Sequence, residues 1–193
     1  MTRAFVALGL DAPTRAAVTA QIERLRPLSR AVAWVPPPNL HLTLKFLGEQ
    51  TDARLADAAD ALEEAAAGHA PFAIAFHGLG GFPGMERPRI LWVGVAEGAL
   101  DVRALQSRVD TALQSRAFAG DSRPWHPHLT IGRVFDPRRW QRDSSLALRD
   151  AVARAAAMGF GTLHVARIAL MRSDLSRAGA RYRELRAVEL ASS

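Results

Sequence analysis

The sequence predicts an α+β fold built as two similar lobes, each a largely antiparallel sheet with flanking helices. Three observations carry this. Helical and strand patterns are mixed without the strict β–α–β alternation of a parallel sheet. Several neighbouring strand patterns are separated only by turn signals, as in hairpins. A four-residue word, His-Leu-Thr followed by an aliphatic residue, occurs at 41–44 and again at 128–131, once in each half of the chain. In each half it stands near a helix and a hairpin pattern. That suggests a pseudo-symmetric pair of lobes rather than a repeat array.

The elements follow in order. Residues 3–10 form an apolar strand, ended by Asp11 and Pro13. Asp11 suits a helix N-cap and Pro13 a first turn. The helix over 13–26 places Val18, Ile22 and Leu25 at helical spacing. Residues 30–39 are extended into a proline-rich turn, and 40–48 alternate as a strand. A second helix covers 51–68, capped by Thr51 or Asp52 and stopped by Gly68. Residues 72–82 and 89–96 read as strands joined by the turn at 83–88, which includes Pro83, Gly84 and Pro88. A third helix covers 99–118, and 128–134 is a strand. Residues 136–159 are a loop followed by a fourth helix. Residues 161–175 and 180–190 read as a closing hairpin through 176–180. No linker or low-complexity segment divides the chain, so residues 1–193 are expected to form a single bilobal domain.

The 193 residues are 49% hydrophobic and 23% charged, a globular composition. There are no cysteines, which excludes disulfides, thiolate metal sites and a cysteine nucleophile. No apolar run reaches the ~18 residues of a membrane span. The N-terminal stretch lacks the length and cleavage signal of a secretory peptide. A cytoplasmic protein without membrane attachment is expected, and a monomer is the default. The net charge of +6 favours a phosphate-bearing partner. The basic residues are scattered along the chain, however, and of 25 only Lys45 is a lysine. Charge alone therefore leaves the partner open.

The repeated word carries more. Side chains alternate across a strand. His41 and Thr43 thus share one face, with Lys45 expected beside them, while Leu42, Leu44 and Phe46 share the other. In the second copy His128 and Thr130 oppose Leu129 and Ile131. Two such strands facing each other would set two imidazoles across a cleft. Imidazole titrates near neutrality, so one ring can accept a proton while the other donates one. The threonine hydroxyls could donate to phosphoryl oxygens, a chemistry of positioning and proton transfer that needs no metal or cofactor.

These residues and their flanks, NLHLTLKFLGE and HPHLTIGR, resemble the paired motifs of the two-histidine (2H) phosphoesterase superfamily. They are most similar to its RNA 2′,3′-cyclic phosphodiesterase branch, also described as 2′-5′ RNA ligase. The similarity extends from RAFVALGLDAPTRAAV to IALMRSDLSRAGARYREL. The resemblance implies a bilobal α+β 2H phosphoesterase fold, with two pseudo-symmetric, largely antiparallel sheets around a central cleft. It implies hydrolysis of RNA 2′,3′-cyclic phosphate ends to 2′-phosphates, with reversible 2′-5′ joining of RNA ends. The partners implied are RNA ends or nucleotides with a 2′,3′-cyclic phosphate. Carried over by motif, His41 is the proton donor to the departing 3′ oxygen and His128 the base that activates water; the two roles could be exchanged. Thr43, Thr130 and Arg133 would bind the phosphate.

Strict alternation places Arg133 opposite His128 and Thr130, so its part requires a bulge or twist near Gly132. Phe5 alternates away from Val6 and Leu8 and is a candidate for stacking on a base. Tyr182 could reach a ligand from the closing hairpin. Trp34 and Trp125 precede the motifs as braces. His126 reads as a loop residue, and His69, His77 and His164 as surface or structural histidines. The glycine-rich 78–84 lacks the lysine and hydroxyl of a P-loop and reads as a turn. Three other functions compete: a binding module for RNA ends without turnover, a metal hydrolase using both histidines with Glu49 or Asp136, and a 2H enzyme acting on another small cyclic phosphate.

Overall fold

The computed structural model describes residues 1–121, 124–143, 146–176 and 179–191. The strands are β1 (Thr2–Gly9), β2 (Val32–Trp34), β3 (His41–Gln50), β4 (Phe72–Phe82), β5 (Ile90–Val95), β6 (His128–Val134), β7 (Gly159–Val165), β8 (Arg167–Ser176) and β9 (Gly179–Glu189). The helices are α1 (Ala12–Leu25), α2 (Asp52–Ala66), α3 (Ala99–Gln114), α4 (Pro137–Asp143) and α5 (Leu146–Ala155). Short 3₁₀ turns follow α1 and precede β3.

All pairs between the named strands are antiparallel, in the order β7-β4-β5-β6-β3-β1-β8-β9, with β2 pairing β6 off that path. The two expected half-sheets are β6-β5-β4-β7 and β3-β1-β8-β9. They join into one nine-stranded sheet where β3 meets β6, through the single pair Leu42↔Leu129. The motif strands are therefore the seam between the halves.

Local sequence starts the helices. Asp11 Oδ1 accepts from the Thr14 amide at 2.9 Å, and Thr51 Oγ1 accepts from the Arg54 amide at 3.3 Å. Each cap satisfies an amide that the first helical turn leaves without a partner. Val18, Ile22 and Leu25 form the buried stripe of α1. Each such side chain contributes roughly 2 kcal/mol by leaving water. The helices exchange sides. α1 follows β1 yet packs on β7 of the other half-sheet. α3 follows β5 yet packs against α2 and β3. This exchange ties the halves together beyond their single ladder pair. The core lies between the helices and one face of the sheet, where Leu42, Leu44, Leu129 and Ile131 are all 1% exposed or less.

Two expectations are corrected. Residues 161–175 are not one strand: the ladder breaks at Ala166, so β7 pairs β4 while β8 pairs β1 and β9. Consecutive stretches of similar apolarity here serve opposite half-sheets, which periodicity cannot reveal. Only β8–β9 is the closing hairpin; residues 177 and 178 of its expected turn lie outside the described residues. Residues 136–159 hold two helices, α4 and α5, rather than a loop and one helix. Asp136 Oδ1 caps the first by accepting from the Arg139 amide at 2.9 Å, a signal present in the sequence but missed.

Candidate active site

The seam places the four motif side chains together. Leu42 and Leu129 are ladder partners and both point into the core. In an antiparallel pair their neighbours then face each other on the opposite side: His41 lies across from Thr130, and Thr43 across from His128. The histidines occupy diagonal corners, a separation of ~7–8 Å between backbone positions. All four residues are half-buried.

Each ring is held in the same way. His41 Nδ1 lies 2.8 Å from the Asn39 carbonyl oxygen, and His128 Nδ1 lies 2.7 Å from that of His126. A carbonyl only accepts, so Nδ1 carries the hydrogen in both. The lone pair of the neutral ring is then on Nε2. The anchoring carbonyl belongs in both cases to the second residue before the histidine. Before His128, Pro127 keeps His126 extended; before His41, the 3₁₀ turn Pro37–Asn39 turns the carbonyl the same way. The proline-rich approach to both motifs is the sequence signal for this anchoring, and periodicity alone does not reveal it.

Aromatic edges finish the orientation. The Tyr182 ring meets His41 edge-on at 5.1 Å, and Phe82 meets His128 edge-on at 5.1 Å. Phe5 lies 4.8 Å from His41 and 5.0 Å from Tyr182. It shares the His41 side, as expected for a stacking candidate, but it is only 3% exposed and packs beneath those two rings. The exposed aromatic on this side is Phe46, at 60%.

Bulges decide two further positions. Between Val6 and Ala7 the partners on β3 run from Lys45 to Thr43, so Leu44 is an extra residue. Between Leu91 and Trp92 the partners on β6 run from Gly132 to Thr130, so Ile131 is an extra residue. The fourth residue of each motif is thus a bulge, and the side-chain alternation inverts after it. Arg133 consequently emerges on the histidine side, exposed, and its positive charge acts on both imidazoles. Gly132 is required there, since a Cβ would come within 2.6 Å of Val32.

The same inversion corrects Lys45, which does not share the His41 face. It is 3% exposed and turned to the core, where Nζ meets Asp110 of α3 at 2.5 Å and Asp121 at 3.1 Å. Trp125 acts as the expected brace: its indole N–H donates to the Thr43 carbonyl at 3.2 Å, linking the approach to one motif with the strand of the other.

Both histidines have pKa values below the ordinary 6.5. Burial is the leading cause for each, because a buried imidazolium loses hydration. The carbonyl bonds oppose the shift. Arg133 lowers both further, and His126 also lowers His128. The pair is therefore held mainly neutral until an anion arrives. Among the described residues no three His, Asp or Glu side chains gather as a metal site would require, so Glu49 and Asp136 complete no ligand set with the histidines.

A model of the 2′-5′ RNA ligase superfamily matches residues 13–177. The RNA 2′,3′-cyclic phosphodiesterase of Methanothermobacter thermautotrophicus is 32% identical over 188 residues, covering 97% of this chain and 98% of the relative. That of Archaeoglobus fulgidus is 34% identical over 187 residues, covering 97% and 99%. A Thermus thermophilus protein of solved structure superposes with a TM-score of 0.75 at 32% identity, over 97% of each chain. E. coli LigT complexed with 3′-AMP superposes with a TM-score of 0.77 at 22% identity, over 98% of each, and shows the shared fold.

Proposed function

This chain belongs to the 2′-5′ RNA ligase superfamily, and from that premise we propose that it hydrolyses RNA 2′,3′-cyclic phosphate ends to 2′-phosphates by two-histidine acid–base catalysis. The observation that carries the proposal is the antiparallel seam. Leu42↔Leu129 pairing supports it by bringing two Nδ1-anchored imidazoles and two threonines to the same side of the seam.

The cyclic phosphate binds between the rings. Its charge is met by Arg133, and Thr43 and Thr130 donate to its non-bridging oxygens. The bound anion stabilises an imidazolium beside it, which restores one proton to a pair otherwise held neutral. Protonated His41 gives its Nε2 proton to the departing 3′ oxygen. Neutral His128 takes a proton at Nε2 from water, whose oxygen attacks phosphorus opposite that bond. The P–O3′ bond breaks, the phosphate stays on O2′, and the two rings have exchanged protonation states. With a 5′-hydroxyl in place of water the same steps make a 2′-5′ bond. Residues 1–193 act as one bilobal unit, monomeric and cytoplasmic, with no metal. Among the described residues no helix is long and apolar enough to cross a membrane.

A short RNA ending in a 2′,3′-cyclic phosphate tests this. The expected product is the 2′-phosphate, formed at the same rate after exhaustive chelation. A 3′-phosphate product would reverse the direction of ring opening. A rate lost on chelation and restored by zinc or manganese would replace acid–base catalysis with metal chemistry. Binding without turnover would leave a recognition module.

A further inference from the structure

A cavity of about 420 Å³ opens beside His128. Hydrolysis does not explain it: the nucleophile on that side is water, which occupies ~30 Å³. We propose that this cavity is the subsite for a second nucleoside, the one whose 5′-hydroxyl replaces water as the attacking group. The inference rests on the proposed roles of His41 and His128.

The sheet register builds the cavity. Ladder partners share a face, so the row from His128 continues through Gly94 to His77. The next row runs from Thr130 through Trp92 to Gly80. Trp92 therefore stands on the catalytic side, next to Thr130. Its indole lies across Gly80, where any Cβ would overlap the ring, and beside Gly94, where a Cβ would come within 3.2 Å. Two side-chain-free positions thus let a large ring lie low and leave open space above the sheet. Phe82, 5.3 Å from Trp92 and 5.1 Å from His128, continues this surface towards the imidazole. Arg103, His77 and His126 supply polar groups at the wall.

An aromatic floor with polar, cationic walls suits a nucleoside: a base stacks on rings irrespective of its sequence, and the walls hydrogen-bond its edge or ribose. In-line displacement fixes which nucleoside. The cyclic phosphate's ribose is attached at the bond that breaks, on the His41 side. The attacking oxygen and whatever it carries lie on the opposite, His128 side. There the 5′-hydroxyl gives its proton to His128 Nε2, the O5′–P bond forms, the P–O3′ bond breaks, and O3′ takes the proton of His41. No atom or electron is left over, and the product is a 2′-5′ linkage.

The test uses the full-length protein with 2′,3′-cyclic AMP as donor and adenosine as acceptor. Hydrolysis and formation of the A-2′,5′-A dinucleotide are quantified together. With a real subsite and saturating 2′,3′-cyclic AMP, the transfer velocity saturates and hydrolysis falls in parallel as adenosine is raised; a transfer velocity that rises linearly through the accessible range overturns the proposal. Ala96→Trp and Ala99→Phe narrow the cavity from its α3 side. Each should lower the ratio about 10-fold or more, the scale of losing one stacked base. A ratio unmoved in variants that melt like the parent overturns the proposal. So does a raised KM for cyclic AMP hydrolysis, which would put the donor's own base in the cavity. The wild-type saturation measurement stands even if neither variant folds. Absence of cyclic AMP hydrolysis in the wild-type protein would instead defeat the underlying phosphodiesterase function.

Discussion

Replacing Arg133 with alanine perturbs two quantities that the structure couples. The guanidinium emerges on the histidine side because Ile131 is a bulge, and its charge acts on both rings. The first quantity is phosphate affinity in the transition state. A charge-assisted contact is worth about 1.5–3 kcal/mol, and at ~1.4 kcal/mol per decade its loss lowers kcat/KM roughly 10- to 150-fold. The second is the pH profile. The competent form carries one proton on the pair, so kcat/KM falls as pH rises past the pKa of the acid. Burial and Arg133 both place that value below 6.5, which sets the alkaline limb below 6.5. Removing the guanidinium relieves one cause and leaves burial, the larger one. The limb therefore moves upward without losing its depression. Arg133→Lys should keep the limb near its wild-type position while still losing part of the rate, since an ammonium has charge but no planar fork. The assay is kcat/KM for a cyclic mononucleotide across about pH 4–9 for all three proteins. Undiminished kcat/KM in Arg133→Ala, or a limb displaced downward, would refute the reasoning.

Other consequences can be measured directly. His41→Ala and His128→Ala should each cost at least ~10²-fold in kcat, and the double variant far less than the product of the two, because the rings work as a unit. A substrate with a better 3′ leaving group should partly rescue His41→Ala only; rescue of His128→Ala instead would exchange the roles. The depressed histidines also bear on stability. The unfolded chain binds their protons near pH 6.5 and the folded protein only lower, so folding stability is full above ~6.5 and falls as pH drops below it. Melting curves from pH 7 to 5 should therefore show a steeper loss for the wild type than for the double His→Ala variant; equal slopes would contradict the burial argument. Lys45→Met should cost about 2 kcal/mol, less than for a fully buried pair because Asp110 and Asp121 are 21% and 48% exposed and can rehydrate. For a domain of this size that is a fall in Tm of roughly 4–8 °C, and an unmoved Tm would mean the triad contributes nothing.

The sequence by itself determined what depends on local periodicity. Alternation in the two motifs put His41 with Thr43 and His128 with Thr130, opposite leucines that then had to be buried. Asp11, Pro13 and Thr51 marked helix starts because capping involves only the next three residues. What depends on a neighbouring strand was decided only in three dimensions. Strict alternation placed Lys45 on the His41 face and Arg133 opposite His128 and Thr130. Pairing with β1 and β5 makes Leu44 and Ile131 bulges and exchanges those positions. Gly132 hinted at the second bulge, while nothing in Leu44 announced the first. The His41–Thr130 and Thr43–His128 pairs likewise come from Leu42↔Leu129, a contact between distant parts of the chain. The division of 159–176 between opposite half-sheets has the same origin, as does the seating of Trp92 over Gly80. A strand pattern states which residues share a side; only its partners state where that sharing is interrupted.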